Sequence, residues 1–426
     1  MSKVLFLSSL DTRSPPTKPH DFDEVFVQMG ANTGNILFTH AIQTYLMNAG
    51  ADHDVTFLSR TVPLEVDWTP YSHCVVNVAN WLGVGTEDLL LKLADDFKAA
   101  PVPIFVIGLG VQVHKGGDPS FVREIRDEAS AFIDSVLRTG GAFGLRGDFT
   151  AACFDELGFA DSYTVTGCPS VYQLGATPPV RTDKVSRDNF RPALNGTRQM
   201  HDAILLKKAR DFDAPFICQD SFARIALSPQ SMTNAARRAL LKMSSEALAL
   251  ILDDRLHAFL NLGDWVRFLH DRSINYVYGG RVHGSIAAIM AGIPAKMVVG
   301  DCRTHEIADY FGIPACKNEA FPTDGDLYEE YVSTDYREFL RNFPRRLRNF
   351  EAFLSCTGLP MTTVPKSEPV FRGAGGQAAR DGIASAKLNR MIEKYLAFKP
   401  VPGGGRLLTK QRQFILLSRV GGSKML

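Results

Sequence analysis

Three short segments carry residue types that could grip a charged substrate and move a proton. The strongest is Tyr278-Gly279-Gly280-Arg281-Val282-His283-Gly284-Ser285-Ile286-Ala287. An apolar run ends there, two glycines turn the chain, and an apolar helix pattern begins. Arg281 offers a planar cationic fork suited to carboxylate or phosphate. His283 offers a group that exchanges a proton near neutral pH, and the helix start adds backbone N–H donors with partial positive charge. Together they describe an anion site with a built-in acid or base; the competing reading is a histidine that caps its own helix. The second segment is Ala142-Phe143-Gly144-Leu145-Arg146-Gly147-Asp148. Its arginine ends a buried-strand pattern, where open α/β sheets bind ligands. An ion pair of Arg146 with Asp148, or with another carboxylate at a helix start, fits those residues equally well. The third is Gly30-Ala31-Asn32-Thr33-Gly34-Asn35-Ile36-Leu37. Its N–H groups could receive an anion or sugar hydroxyls, but alone it reads first as a helix cap through Thr33 or Asn35.

Other chemistries leave no mark. Gly108-Leu109-Gly110 lacks the third glycine of a dinucleotide fingerprint, there is no Walker loop, and His305-Glu306 lacks the second histidine of a zinc helix. No serine sits in a nucleophile elbow. No cofactor and no metal site is expected.

The elements that must position these segments alternate. Val4–Leu7, Val55–Leu58, Cys74–Val78, Ile104–Ile107, Ala142–Leu145 and Tyr163–Val165 read as buried strands. Helix patterns lie between them at Asn35–Asn48, Thr86–Ala99, Phe121–Leu137 and Phe149–Leu157. This is the signature of a parallel, doubly wound sheet. Thr177-Pro178-Pro179 reads as a linker. Beyond it, strands at Pro215–Cys218, Ile274–Tyr278 and Ala295–Val299 alternate with helices at Ser244–Leu260, Gly284–Ala291 and Arg303–Phe311. The expected organisation is an α/β domain over 1–178, a second over 179–335, a helical segment over 336–362 and a tail over 363–426. In the helical segment, Leu340, Phe343, Leu347, Phe350 and Leu354 mark one face. Pro344 is expected to kink it, and Arg341, Arg345, Arg346 and Arg348 read as a solvated face. One further helix is expected at Ala384–Phe398.

Composition narrows the class. With 426 residues, 45% hydrophobic and 22% charged, the chain exceeds one ordinary core and matches a globular protein of two domains. A net charge of +1 gives no general reason for nucleic-acid binding. Residues 366–426 hold 12 Lys/Arg against 3 Asp/Glu, leaving 35 against 43 in the rest, so an acidic body carries a basic tail. That tail reads as a solvated appendage or, more sharply, as a contact with an anionic membrane surface. Seven cysteines without a CxxC pair read as reduced thiols of a cytoplasmic protein. No uncharged run has the roughly 20 mostly apolar residues of a membrane span.

The chain resembles the polysaccharide pyruvyl transferase family. The segments that carry the resemblance are Asn32-Thr33-Gly34-Asn35, Ile107-Gly108-Leu109-Gly110-Val111-Gln112, Leu145-Arg146-Gly147-Asp148, Val165-Thr166-Gly167-Cys168-Pro169-Ser170, Gly280-Arg281-Val282-His283-Gly284 and Asp301-Cys302-Arg303-Thr304 leading into Phe311-Gly312-Ile313-Pro314. The resemblance implies a glycosyltransferase-B-like fold, in which two Rossmann-like domains face a cleft. It also implies transfer of a pyruvyl group from phosphoenolpyruvate to sugar hydroxyls of a glycan or glycan precursor, free or lipid-linked, as a ketal. It points to Arg146, Arg281 and His283 as catalytic residues, and to Asn32, Thr33, Gly34, Asn35, Gly110, Gln112, Val282 and Gly284 as substrate contacts. One departure matters: the first family motif commonly ends in Asp, and Asn35 stands there, an amide that cannot act as a general base. A nucleotide-sugar-dependent glycosyltransferase and a non-catalytic carbohydrate-binding relative are the alternatives on the same architecture.

Overall fold

The computed structural model describes residues 3–8, 10–13, 26–113, 117–175, 177–196, 200–220, 223, 226, 245–317 and 325–363. The tail from 364 onward, with the helix expected at Ala384–Phe398, lies outside the described residues.

The first lobe is built on β1 (Lys3–Ser8), α1 (Ile36–Ala49), β2 (His53–Phe57), β3 (Tyr71–Asn77), β4 (Asn80–Leu82), α2 (Glu87–Lys98), β5 (Ile104–Val111), α3 (Arg126–Arg138), β6 (Ala142–Leu145), α4 (Asp148–Leu157) and β7 (Tyr163–Val165). Its sheet runs β2-β1-β3-β5-β6-β7, with β4 beside β5 and every pairing parallel. All eight residues of β5 are buried, as a strand covered by helices on both faces requires. Helix α2 shows how the sequence fits: Glu87 and Asp88 meet its positive end, Lys98 its negative end, and Leu89, Leu90, Leu93 and Phe97 form the buried face.

The second lobe comprises β8 (Pro192–Gly196), α5 (Met200–Asp211), β9 (Phe216–Cys218), α6 (Ser245–Leu252), β10 (Leu256–His257), α7 (Leu262–Asp271), β11 (Tyr276–Gly279), α8 (Val282–Met290), β12 (Ala295–Val299), α9 (Cys302–Phe311) and β13 (Ala315–Lys317). Its parallel sheet runs β10-β9-β8-β11-β12-β13. In order of appearance that is 3-2-1-4-5-6, the dinucleotide-fold order, and its switch point lies between β8 and β11. The expected α/β class with two Rossmann-like lobes is the observed one. Helices α10 (Leu327–Ser333) and α11 (Arg337–Cys356) complete the described chain.

Both sheets belong to one compact unit. One buried cluster is confined to the first lobe around Leu7, Val76, Val106 and Phe143. The other is continuous across both lobes and takes in α1, α8, α9 and α11. Helix α11 returns to the first lobe, where Phe350 stacks on Tyr172 at 4.6 Å.

Several elements differ from the sequence reading. The helix expected over Ser244–Leu260 ends at Leu252, because Asp254 takes a left-handed conformation (φ 56°) and Arg255 N–H closes the turn on the Leu250 carbonyl. The chain then enters β10. The start of the helix expected at Phe121 is a 3-10 turn over Pro119–Ile125. Arg346 is not part of a solvated face: its Nε donates to the Tyr310 carbonyl at 2.8 Å and its guanidinium covers the Tyr310 ring. Helix α11 keeps Pro344 inside it as one helix. No disulfide links the seven cysteines, and Cys74, Cys153, Cys168 and Cys218 are buried. Among the described residues no helix is long and apolar enough to cross a membrane.

Candidate functional site

Most of the residues singled out from sequence collect where the carboxyl ends of the two sheets approach each other. From the second lobe, β11 ends at Gly279, Arg281 is the N-cap of α8, and His283 lies in its first turn. Asn195, at the end of the neighbouring β8, accepts the Arg281 N–H on its Oδ1 at 2.8 Å. The switch point of this sheet is thus tied directly to the arginine. The Arg281 Nη2 donates to Asp220 at 3.0 Å.

From the first lobe, Arg146 follows β6. It is only 3% exposed and donates from Nη1 to the Asn80 Oδ1 at 3.0 Å. Among the described residues Arg146 forms neither ion pair weighed from sequence, with Asp148 or with another carboxylate at a helix start. The Asn32–Asn35 turn caps itself, with Asn32 Oδ1 accepting from Gly34 N–H, and the Thr33 N–H crosses to the second lobe to donate to the Gln219 carbonyl at 2.7 Å. Asn35 is occupied elsewhere, donating to the Met29 carbonyl at 2.8 Å. Helix α1 then lays Phe38 against His283, with ring centroids 5.5 Å apart.

His283 is buried, and its Nε2 has no hydrogen-bond partner, so it does not cap its own helix. Its pKa is held down at about 3, first by burial and then by the guanidiniums of Arg146, Arg281 and Arg303. Arginines from both lobes therefore act on one neutral imidazole. Gly110 lies beside Arg146, since a Cβ there would come within 3.3 Å of Arg146 Cδ. Gln112 is exposed past that strand's end, and Val282 and Gly284 form the first turn of α8. The arrangement brings together Arg146, Arg281, His283, Thr33, Gly34 and Gly284; Asn35 and Gln112 are not brought to the cluster.

Glu306 is one of the residues at this place that sequence reasoning passed over, as are Asn195 and Gln219. Glu306 projects from α9 onto the start of α4 in the other lobe, accepting from the Thr150 N–H at 3.2 Å and the Thr150 hydroxyl at 2.9 Å. Its Oε1, like Arg146 Cδ, would lie 3.3 Å from a Cβ on Gly110. Burial raises its pKa to about 7, although Arg146 and Thr150 pull the other way and Asp148 adds to the rise. Because the folded value exceeds the ordinary 4.5, this group favours folding below about pH 4.5 and loses that contribution as pH rises through 7. Glu306→Gln should therefore raise the thermal midpoint at pH 8, by an amount corresponding to about 1–3 kcal/mol. The gain should disappear near pH 4.5, and equal midpoint shifts at both pH values in unfolding scans would contradict it.

Unpaired polar atoms mark the same place. Among the described residues, eight of the twelve buried side-chain nitrogens and oxygens without a hydrogen-bond partner belong to Thr33, Arg146, Asn195, Gln219, Arg281, His283 and Ser285. Each such group costs about 1–3 kcal/mol when left dry, so their concentration in one region marks a site built for something other than stability. Among the described residues no three His, Cys, Asp or Glu side chains are grouped to hold a metal ion.

The sequence model of the polysaccharide pyruvyl transferase family matches residues 32–298, well over half of the chain. The chain belongs to the polysaccharide pyruvyl transferase family. That makes it an enzyme of the transferase class, and the matched span of this pyruvyl transferase runs from the Asn32 turn through α8, enclosing Arg146, Arg281 and His283. No curated protein matches. Among solved structures, similarity extends to S. aureus MnaA with UDP, at 11% identity and TM-score 0.40, covering 95% of this chain and 100% of that one. A putative UDP-N-acetylglucosamine 2-epimerase from Listeria monocytogenes follows at 9% identity and TM-score 0.35, covering 94% and 99%. The glycosyltransferase SnogD from Streptomyces nogalater has 13% identity and TM-score 0.24, covering 66% and 94%.

Proposed function

We propose that this pyruvyl transferase takes its pyruvyl group from phosphoenolpyruvate and delivers it to two hydroxyls of a saccharide as a ketal. The observation that carries the reading is the pair Arg146 and Arg281, one from each lobe, both acting on the buried His283. Two guanidiniums suit a donor with a phosphate at one end and a carboxylate at the other. The start of α8 adds N–H donors for one of those groups.

In this reading a sugar hydroxyl adds to C2 of the enol phosphate while its methylene C3 takes a proton from His283. Inorganic phosphate then leaves C2, and a second hydroxyl adds there and loses its proton, which closes the ketal. The imidazole is neutral in the empty site, so it must gain its proton as the donor binds. The donor's negative charges oppose the three guanidiniums that depress it. Asn35 cannot serve as the base for the attacking hydroxyl, which leaves the phosphate or the imidazole itself to receive that proton. We place the reaction in the cytoplasm, where reduced thiols such as Cys74 and Cys153 persist.

The test is release of inorganic phosphate from phosphoenolpyruvate with a panel of saccharides, together with thermal unfolding in the presence of the donor. Saccharide-dependent phosphate release and stabilisation by phosphoenolpyruvate are expected. Stabilisation by a nucleotide sugar and not by phosphoenolpyruvate would overturn the reading in favour of glycosyl transfer.

A further inference from the structure

The unpaired atoms of the site fall into two chemical kinds. Arg146 and Arg281 leave guanidinium nitrogens, which can only donate and which suit an anion. The others are neutral: the Gln219 Oε1 and Nε2, the Asn195 Nδ2, the Ser285 Oγ and the Thr33 Oγ1. All four side chains are essentially fully buried, Gln219 at 1% exposure and the others at zero. The two amides are also adjacent, and Thr33 and Ser285 are the chain neighbours of Gly34 and Gly284, the two glycines on which the amides pack. The Gln219 oxygen lies against Gly34 of the first lobe, and its nitrogen would stand 2.9 Å from a Cβ on Gly284, where the Asn195 Nδ2 would stand at 2.7 Å. The His283 Cβ is 3.0 Å from the same position on Gly34. A side chain at either glycine would collide with these groups, which pack directly on the two glycine backbones.

A phosphate or carboxylate can use the donors of this group but cannot use the Gln219 Oε1, which accepts only from a proton-bearing partner. A carboxamide edge with one acceptor and one donor matches a pair of neighbouring sugar hydroxyls, and the two buried hydroxyls of Thr33 and Ser285 can donate or accept. We propose that Gln219, Asn195, Ser285 and Thr33 form the acceptor subsite, in which Gln219 holds the two hydroxyls that become the ketal oxygens. The subsite rests on the reading of the arginines as the donor site, because it gives the neutral neighbour of that site its ligand. Entry of the saccharide parts the contact between the Thr33 N–H and the Gln219 carbonyl.

The test uses the full chain, with methyl β-D-galactopyranoside, methyl β-D-glucopyranoside and methyl α-D-mannopyranoside as probes. Saturation-transfer NMR reads glycoside binding, and fluorescence titration reads phosphoenolpyruvate binding. At least one glycoside should bind the wild type. In Gln219→Leu its binding should weaken about tenfold or more, and in Ser285→Ala to a lesser degree, with phosphoenolpyruvate affinity changed less than about twofold in both. The unfolding midpoint of Gln219→Leu should be unchanged or higher, since an unpaired amide is replaced by an apolar side chain of similar size. Undiminished glycoside binding in Gln219→Leu, a midpoint fall that accompanies its loss, or no glycoside bound by the wild type would overturn the subsite. Failure of phosphoenolpyruvate to bind, with glycoside binding still dependent on Gln219, would instead sink the donor reading and leave the hydroxyl site standing.

Discussion

His283→Ala should lower phosphate release by about 10²–10⁴-fold while leaving stabilisation by phosphoenolpyruvate in place. The residue has no hydrogen bond to lose at Nε2 and caps nothing, so truncation removes little that holds the fold beyond its contact with Phe38. What it removes is a titratable group on which arginines of both lobes act. With the imidazole at about pKa 3 in the empty site, donor binding at neutral pH must draw a proton from solvent. Calorimetry in two buffers of different ionisation heat should therefore detect proton uptake on phosphoenolpyruvate binding, and less of it in the variant. Turnover that survives in His283→Ala but collapses in Glu306→Gln would shift the acid role to Glu306, which is already half-protonated near pH 7.

The sequence made the first lobe and the arginine–histidine segment legible because both are local statements. Apolar strands, glycine turns and helix starts announce themselves within ten residues, and the expected strands and helices of residues 3–165 lie within a few residues of the observed ones. The second lobe was harder, for a physical reason. Its central strand β8 reads Pro-Ala-Leu-Asn-Gly, with three of five residues that disfavour a strand, and it becomes one because β9 and β11 pair with it on both sides. Helix α7 did carry a signal that went unread: Asn261 caps it by accepting from Asp264 N–H, with Trp265, Phe268 and Leu269 behind. Glu306 and Gln219 carried none. Each gains its character from a partner on the other lobe, Thr150 in one case and Thr33 in the other. Such pairings, between residues more than 150 positions apart, leave no local trace.

Arg146→Ala should reduce kcat/KM for phosphoenolpyruvate by about 10³-fold, and Arg146→Lys by about 10²-fold, in steady-state phosphate release. A lysine would keep the charge but not the fork, and one of its donors would have to replace the bond now made to Asn80. Folding is a separate matter, because Arg146 is also a cation that lowers the pKa of the buried Glu306. Without it, ionised Glu306 is left in the seam with only Thr150 to hold it. Arg146→Ala should accordingly lose about 3 kcal/mol of stability at pH 8 and much less at pH 5, where Glu306 carries its proton. Combining it with Glu306→Gln should restore most of that stability by removing the stranded charge, yet restore none of the turnover. Recovery of activity in the double variant would mean that Arg146 serves only to neutralise Glu306, and the donor site would then have to be built on Arg281 and Arg303 alone.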